Sequence, residues 1–252
     1  MLNTITRVLK RRTWLEIRFE VMTRFARLII PEYRFKGPNV EWWCDEAFTD
    51  YLHKFDELNL YNADRHWMLL QLTRLVDCVP GDTAECGVYQ GAGSYLICKA
   101  NSQSRIRGRN HFMFDSFEGL SSPSSFDGKH WSEGDMACDL DTIKKNLAEF
   151  KNICFLKGWI PDRFTEVQDK RFSFVHIDVD LYKPTHDSIE FFYPRINNGG
   201  IIVCDDYWFD SCPGATQAVD EYLADKPEKM VILDSGGGFL IKGCETAGNI
   251  PD

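Results

Sequence analysis

The feature that most constrains this chain is a pair of β-strand patterns that each end in two carboxylates. The first pattern ends in Asp178 and Asp180, and the second ends in Asp205 and Asp206. A segment of helix length, residues 184–196, separates the two patterns. A strand, a crossover helix and a second strand form a βαβ unit, whose strands are parallel and usually adjacent. The carboxylates are therefore expected at one edge of a parallel sheet, the edge where open α/β sheets bind ligands.

Carboxylates gathered at one edge repel one another unless a positive charge neutralises them. We therefore predict that Asp178, Asp205 and Asp206 bind a hard divalent cation, Mg²⁺ or Ca²⁺. The alternative is that these aspartates only cap turns at the strand ends, which explains one such residue more easily than several.

Short β-patterns alternate with helical patterns from residue 82 onward. This alternation predicts an α/β fold, a doubly wound and mainly parallel sheet with helices on both faces. The last two β-patterns are separated only by Ser235, Gly236 and Gly237. A gap that short admits only a hairpin, so the last of the seven strands should be antiparallel and lie at or near the sheet edge. The predicted strands are residues 82–86, 111–115, 153–157, 172–178, 200–204, 230–234 and 238–242, and the predicted helices are residues 1–30, 45–58, 63–78, 94–101, 141–150, 160–168 and 184–196.

Length and composition fit one α/β domain with an appendage, since the chain has 252 residues of which 44% are hydrophobic. We predict an N-terminal helical arm or cap over residues 1–60 and the main domain over residues 61–252.

The apolar runs are shorter than the roughly 20 residues that a membrane span needs, and no secretory signal is evident. Nine cysteines without a C-x-x-C pair indicate reduced thiols and a cytoplasmic protein.

Charge is distributed unevenly. The chain carries a net charge of −9, yet residues 1–36 hold nine Lys and Arg against three Glu, a local charge of +6. The acidic remainder is a poor surface for nucleic acid. The basic arm has apolar residues at helical spacing, so one interpretation is an interfacial helix that contacts anionic lipid. We favour the other interpretation, an accessory helix that packs on the body or on a second subunit.

Residues 119–139 lack any helical or strand periodicity and follow a predicted strand end. Long loops in compact domains are usually binding loops or lids. We interpret this segment as a lid over the substrate, in which Phe126 and Trp131 offer flat apolar surfaces for a ligand ring. The alternative is that these two aromatic side chains only anchor the lid.

A glycine-rich turn follows the first strand of the main domain. Glu85 is followed by Gly87, Gly91 and Gly93, which allow a tight turn and a close approach of ligand to backbone. A carboxylate here repels phosphate and suits a cationic or hydroxyl-rich ligand such as S-adenosylmethionine. Asp115 closes the second strand, where such folds hold a ribose diol. The alternative is that Asp115 only caps a turn.

Five motifs resemble those of the macrocin O-methyltransferase family, at residues 84–93, 114–120, 176–185, 203–207 and 213–221. The resemblance implies a Rossmann-like methyltransferase fold and methylation of sugar hydroxyls on natural products, with S-adenosylmethionine and Mg²⁺. It implies metal ligands at Asp178, Asp205 and Asp206, and donor ligands at Glu85, Gly87, Asp115 and Ser116. With neighbours in the strand-end loops, the predicted donor site comprises Glu85, Gly87, Val88, Tyr89, Gly91, Ser94, Asp115, Ser116, Gly158 and Trp159.

The residue that accepts the hydroxyl proton is predicted to be Asp178, acting also as a metal ligand. Asp180, His176 and His130 are other candidates, although an apolar strand context favours a hydrogen-bonded core role for His176. Lys183 precedes Pro184, and we expect it to be exposed.

The predicted acceptor is a small molecule or glycan with a vicinal diol, and we expect a homo-oligomer. Two rival functions stay open: a nicotinamide-dependent oxidoreductase on the same fold, and a non-catalytic binding protein. Glu85 and the absence of a G-x-G-x-x-G motif argue against the oxidoreductase. The presence of Asp178, Asp205 and Asp206 argues against loss of catalysis.

Overall fold

The structure is a computed structural model that describes residues 2–31, 45–57 and 62–246, without the side chains of residues 2–13 and 15. Contacts between Cα atoms divide the chain into two units, Met1–Leu58 and Asn59–Asp252. The predicted boundary between residues 60 and 61 lies outside the described residues. The domain division therefore stays a prediction.

The first unit contains helices α1 (Leu2–Ile29) and α2 (Glu46–Lys54). Helix α2 begins after Asp45, whose Oδ1 accepts a hydrogen bond of 2.7 Å from the Phe48 amide, a typical N-cap. Helix α1 exposes several large apolar side chains, among them Phe25. None of the helices in the described ranges combines the length and the hydrophobicity that a bilayer crossing requires.

The second unit alternates strands and helices, as the sequence pattern predicts. Its elements are α3 (Ala63–Leu75), β1 (Asp82–Cys86), α4 (Ala92–Gln103), β2 (His111–Asp115), α5 (Leu140–Asn146), β3 (Ile153–Lys157), β4 (Phe172–Ile177), α6 (Tyr182–Phe192), β5 (Ile196–Cys204), α7 (Pro213–Leu223), β6 (Val231–Ile232) and β7 (Gly238–Ile241).

The strands form one seven-stranded sheet in the order β3-β2-β1-β4-β5-β7-β6. Pairs β1–β2, β1–β4, β2–β3 and β4–β5 are parallel, and β7 is antiparallel to both β5 and β6. The predicted doubly wound sheet with an antiparallel last strand is therefore confirmed, and β7 lies one strand from the edge. The strand order reverses at β1, so the crevice between β1 and β4 is a topological switch point.

Both faces of the sheet are covered, because alternate side chains of each strand point to opposite sides. Phe112 and Phe114 of β2 join a core that includes residues of α6 and α7. Met113, between them, joins a second core with Ile143 of α5 and Leu147. Loops occupy the edge of the sheet at which the parallel strands end.

Some local predictions need correction. Residues 160–168 were expected to form an α-helix, but they contain a 3-10 helix, Asp162–Val167, which follows Pro161. Helix α6 ends at Phe192 rather than at residue 196, and the chain continues in a 3-10 turn, Tyr193–Arg195, that contains a proline. Helix α7 was not assigned from the sequence, although it begins with Pro213 at its first position, a common helix start.

Candidate active site

The candidate site lies at the carboxyl ends of β1 to β5. Backbone hydrogen bonds between neighbouring strands continue to this edge: the Gly87 amide donates to Phe114, the Asp178 amide to Cys86, and the Asp205 amide to Ile177. The loops after these strands are therefore held in a fixed register.

The glycine-rich loop and the first carboxylate loop contact each other directly. Gly87 has a φ of +78°, and a Cβ atom there would lie 1.7 Å from the carbonyl oxygen of Asp178. Only glycine tolerates both the positive φ and the close approach. Gly91 has a φ of +87° and precedes the first residue of α4. The sequence prediction that these glycines shape a tight loop agrees with this geometry.

Asp115 fastens the glycine-rich loop to the end of β2. Its Oδ2 accepts from the amides of Val88 (2.7 Å) and Tyr89 (3.1 Å), and its Oδ1 accepts from Phe117 (2.6 Å). Its carbonyl oxygen accepts from Gly158 at 2.9 Å. Asp115 thus connects the three loops predicted to bind the donor. A carboxylate has about four acceptor positions, so Oδ1 keeps capacity for a hydroxyl group.

Glu85 and Ser94 lie beneath the loop rather than on its surface. Both are buried, and the Ser94 hydroxyl donates to Glu85 Oε2. Glu85 Oε1 lies 2.8 Å from Nδ1 of His176, and Ser94 Oγ lies 2.9 Å from Nε2 of His111. These side chains form a buried polar network that crosses the sheet, and they support the site from below.

The remaining predicted donor residues line the loops. Ser116 is buried, and its hydroxyl donates to the Gly119 carbonyl and accepts from the Glu118 amide. Tyr89 (φ +46°) and Trp159 expose 37% and 42% of their surface. Two exposed aromatic side chains on loops joined through Asp115 leave flat surfaces next to the candidate donor site.

The three aspartates predicted to bind one metal ion are divided between two groups, Asp178 and Asp205 in the first and Asp206 in the second. Asp178, Asp205 and His176 can each offer a ligand atom within 4.8 Å of the others, and so can Asp180, Asp206 and Cys212. Asp206 Oδ2 accepts from the backbone amides of Val179 (3.1 Å) and Asp180 (2.7 Å). Asp206 therefore fixes the loop that carries Asp178 and Asp180.

The proximity of these groups changes their proton affinity. Burial, and then the charges of Asp205 and Asp206, raise the pKa of Asp178 well above its ordinary value. Burial and Asp205 raise the pKa of Asp206 to about 6. Burial alone would raise the pKa of Asp205 too, but the charge of Arg65 and the nearby His176 imidazole hold it well below its usual range. A buried carboxylate that is costly to ionise favours an added cation.

Arg65 is a site residue that the sequence reasoning missed. Its guanidinium forms an ion pair with Asp205, donates to Asn62 at 2.6 Å, and lies 4.9 Å from the ring centroid of Phe209. Arg65 is in the first turn of α3, where the helix dipole disfavours a cation. This unfavourable position is the one signal in the local sequence that Arg65 pairs with a residue elsewhere in the fold.

The other candidates for the proton acceptor differ in their surroundings. Asp180 lies near the cluster, and burial followed by the charge of Asp206 raises its pKa to about 8. His176 is buried between Glu85 and Asp205, as expected for a core histidine. His130 is exposed and packs edge-on against Trp131. Lys183 is exposed, as predicted, and pairs with Asp187.

Fold and site together define a class. A solved structure of a calicheamicin methyltransferase, CalS11, shares the fold with a TM-score of 0.66 and 19% identity over 90% of this chain and 93% of that chain. The site thus lies at the carboxyl edge of a Rossmann-like sheet. The family model described as Macrocin-O-methyltransferase (TylF) matches residues 69–239. The chain therefore belongs to the macrocin O-methyltransferase family, and the resemblance of its five motifs is confirmed.

Related proteins share a similar region. Demethyldecarbamoylnovobiocin O-methyltransferase of Streptomyces niveus is 28% identical over 64% of this chain and 66% of its own length. A rhamnosyl-tetracenomycin-C 4'-O-methyltransferase of Streptomyces olivaceus is 30% identical over 57% of this chain and 59% of its own length. The matches thus span less than two thirds of these curated relatives. The solved structure of the O-methyltransferase NovP has a TM-score of 0.58 and 26% identity, over 71% of this chain and 80% of that chain.

Proposed function

We propose that the chain is an S-adenosylmethionine-dependent O-methyltransferase that uses a divalent cation to methylate a sugar hydroxyl of a natural product or glycan. The main support for this proposal is one contact between two loops. The glycine-rich loop and the carboxylate loop contact each other where Gly87 meets the Asp178 carbonyl. A methyl donor on the first loop and an acceptor held at the second would therefore be neighbours, and alignment of reactants supplies much of the rate of such a transfer.

The charge of the site suits the donor. Asp115, Asp178, Asp180 and Asp206 lie on the loops of this edge, and Arg65 is paired with Asp205. Asp115 is bonded to the glycine-rich loop, so a phosphate on that loop would meet a carboxylate, whereas a ribose hydroxyl could donate to it and a sulfonium would not be repelled. This supports S-adenosylmethionine over a nicotinamide dinucleotide. When bound, the sulfonium supplies an activated methyl group. We assign the donor contacts to the loop Gly87–Val88–Tyr89–Gly91, to Asp115 and Ser116, and to Gly158 and Trp159, with Glu85 and Ser94 supporting from beneath.

The donor set also fits a hard cation. Asp178 and Asp205 bring carboxylate oxygens together with His176, whose Nε2 is buried and has no hydrogen-bond partner among the described residues. Oxygen-rich sites of this kind suit Mg²⁺. We propose that Asp178, Asp205 and Asp206 hold it, with Arg65 turning away from Asp205. When bound, the cation lowers the pKa of an acceptor hydroxyl.

The proton acceptor is assigned to Asp178, and Asp180 is the alternative. Asp178→Asn should abolish both turnover and the thermal stabilisation by Mg²⁺, because the amide is a poor ligand for a hard cation. If Asp180 is the base, Asp180→Asn should abolish turnover and keep the stabilisation by Mg²⁺. Kinetics and thermal melts of the two variants therefore separate the roles.

The acceptor is proposed from the relatives. One is named for transfer to a rhamnosyl group, and CalS11 is titled a TDP-rhamnose 3'-O-methyltransferase. We propose a sugar on a small molecule or glycan as the acceptor. Its vicinal diol is proposed from the predicted metal site, because two neighbouring oxygens can chelate a cation, and not from the tetracenomycin relative, whose named sugar carries methoxy groups at positions 2 and 3. We further propose a cytoplasmic homo-oligomer that does not bind nucleic acid.

The central test is calorimetry with S-adenosylmethionine, with and without Mg²⁺, followed by methyl transfer to TDP-rhamnose. Donor binding, and turnover that stops with excess chelator, would support the proposal. Full activity in chelator would remove the cation from it. Binding of a nicotinamide dinucleotide instead, seen as a change in its fluorescence, would favour the oxidoreductase.

A further inference from the structure

Segment 119–139 is fastened to the body of the second unit by a buried carboxylate. Asp127 is only 3% exposed although it lies in a loop. Its Oδ2 accepts from the amide and the hydroxyl of Ser124, both at 2.7 Å. Its Oδ1 accepts from the Tyr182 amide at 2.5 Å. One carboxylate thus joins a turn of the segment to another part of the fold.

That other part is the start of helix α6. Tyr182 is the first residue of α6, and the residue before it, Leu181, provides no side-chain cap. The first amides of a helix lack partners within the helix and bind anions well. Asp127 therefore supplies from a distance the cap that the local sequence lacks.

A glycine makes room for this carboxylate between α6 and α7. A Cβ atom at Gly214, the second residue of α7, would lie 2.2 Å from Asp127 Oδ1 and 2.9 Å from Cβ of Tyr182. Gly214 does not need a positive φ, so close approach is the reason for glycine here. The fit of Asp127 against Gly214 is a built contact rather than a chance approach of a surface loop.

Trp131 extends the contact from the segment toward the carboxylates. Its Nε1 donates to Sγ of Cys212 at 3.3 Å, and that sulfur lies 3.6 Å from Oδ1 of Asp180. Phe126 stacks on Tyr182 with 4.6 Å between ring centroids. Both aromatic side chains therefore pack on the body, which is the arrangement expected of anchors.

We propose that Asp127 is a positioning residue: it locks segment 119–139 onto the starts of α6 and α7, and through Trp131 and Cys212 it holds the Asp180 side chain in place. The proposal rests on the proposed function for its kinetic consequence, because Asp180 borders the predicted metal site. Its structural part can be tested without any acceptor. Loss of the lock should alter acceptor turnover and leave donor binding unchanged, since the donor loops are fastened separately by Asp115.

The test measures how fast N-ethylmaleimide labels individual cysteines, read by peptide mass. Cys212 is 3% exposed and covered by Trp131, whereas Cys86 lies in the core of the sheet. In Asp127→Ala we expect Cys212 to be labelled at least about tenfold faster, because the segment opens locally. Cys86 should stay protected, which distinguishes an opened segment from a misfolded protein.

Three further variants sharpen the test. Asp127→Asn keeps the shape but loses one acceptor oxygen, so an intermediate rate is expected. Gly214→Ala should act in the same direction, and its effect should be smaller in the Asp127→Ala background because the 2.2 Å contact is then gone. Asp135→Ala is the matched control: its carboxylate accepts from Ser132 within the same segment, and Cys212 labelling should stay near the parent rate.

Kinetics complete the test. With TDP-rhamnose as the probe acceptor, Asp127→Ala should lower kcat/KM about tenfold while affinity for S-adenosylhomocysteine changes by less than about twofold. If the parent protein does not methylate TDP-rhamnose, the choice of acceptor in the proposed function fails, and the labelling result still decides on the lock. Parent-like labelling of Cys212 in both Asp127→Ala and Gly214→Ala would overturn the proposal. A lower melting temperature of Asp127→Ala without faster Cys212 labelling would also overturn it, because Asp127 would then only cap helix α6.

Discussion

The Nδ1 atom of His176 lies 2.8 Å from Oε1 of Glu85, and both side chains are buried. On the other side of the ring, Nε2 lies 3.6 Å from Oδ1 of Asp205. One histidine thus stands between the carboxylate beneath the donor loop and a carboxylate of the predicted metal site. The two halves of the site share a buried polar network, and a change in either half should reach the other.

We predict that Glu85→Gln destabilises the fold by about 1–3 kcal/mol, because the amide cannot accept from both Ser94 and His176 and leaves a buried group without a partner. Chemical denaturation measures the difference. Glu166→Gln is the control: Glu166 forms an exposed ion pair with Arg163, and its loss should cost less than about 1 kcal/mol. Equal effects of the two substitutions would argue against the network.

We predict that Arg65→Met lowers the melting temperature without divalent cations and enlarges the stabilisation by Mg²⁺. Arg65 is the cation paired with Asp205, and its removal leaves buried carboxylates to repel one another. A bound cation then stabilises the folded state by mass action. Thermal melts in chelator and in Mg²⁺ measure both effects.

The control for this prediction is Arg74→Met, on the same helix. Arg74 donates to Gln71 at the surface, so neither melting temperature should change appreciably. A stabilisation by Mg²⁺ that is the same in Arg65→Met and in the parent would count against a cation at Asp205.

We predict that Asp115→Ala weakens binding of S-adenosylhomocysteine by more than about tenfold, and that Asp115→Asn weakens it less. The alanine variant loses the bonds to the Val88 and Tyr89 amides together with any bond to a ribose hydroxyl. Calorimetry gives the dissociation constants. Asp82→Ala is the matched control, because Asp82 accepts a backbone amide from Asn110 at the opposite edge of the sheet, and donor affinity there should match that of the parent.

We predict that stability in chelator falls as pH rises from about 6.5 to about 8. Burial and the charge of Asp206 raise the pKa of Asp180 to about 8, so the folded protein keeps a proton that the unfolded chain has released. Burial lowers the pKa of His176, but the neighbouring carboxylates of Asp205 and Glu85 outweigh burial and raise this pKa. Above the pKa of an unfolded histidine, this effect acts in the same direction. Each such proton contributes up to about 1.4 kcal/mol per pH unit.

The lower end of this window is set by two other histidines. Burial lowers the pKa of His66 to about 4 and that of His111 to about 3, so these groups make stability rise with pH until the unfolded histidines are neutral. Above about pH 6.5 their contribution is constant. Denaturation curves at several pH values, with and without Mg²⁺, measure the slope. If stability in chelator rises with pH through this window, the folded protein does not keep the extra protons assigned to Asp180 and His176.

The main strands were predictable from sequence because their apolar runs are bounded by turn residues, and β1, β2 and β3 begin and end where the pattern indicates. The topology followed from alternation and from the short hairpin gap. The 3-10 helix, Asp162–Val167, could not be distinguished from a short α-helix by periodicity. Helix ends were predicted less accurately for another reason. An end can depend on a capping group from a distant residue, as α6 depends on Asp127.

The site was predictable only as a set of residues at one edge. Strand ends place Asp178, Asp205 and Asp206 there, but which side chains become partners depends on contacts between residues far apart in the chain. Arg65 is separated from Asp205 by 140 residues, and Glu85 from His176 by 91. No local spacing encodes such pairs, and the assignments of donor and metal ligands stay predictions.

The contact between Gly87 and the Asp178 carbonyl has a consequence for how this protein can change. At this contact the main chain of Gly87 approaches the Asp178 carbonyl, and a side chain at residue 87 would force the two loops apart. We therefore expect substitutions elsewhere to leave the spacing of the two loops intact as long as the sheet folds. We expect that changes of acceptor arise from sequence changes in the surrounding segments, while the spacing of these two loops stays the same.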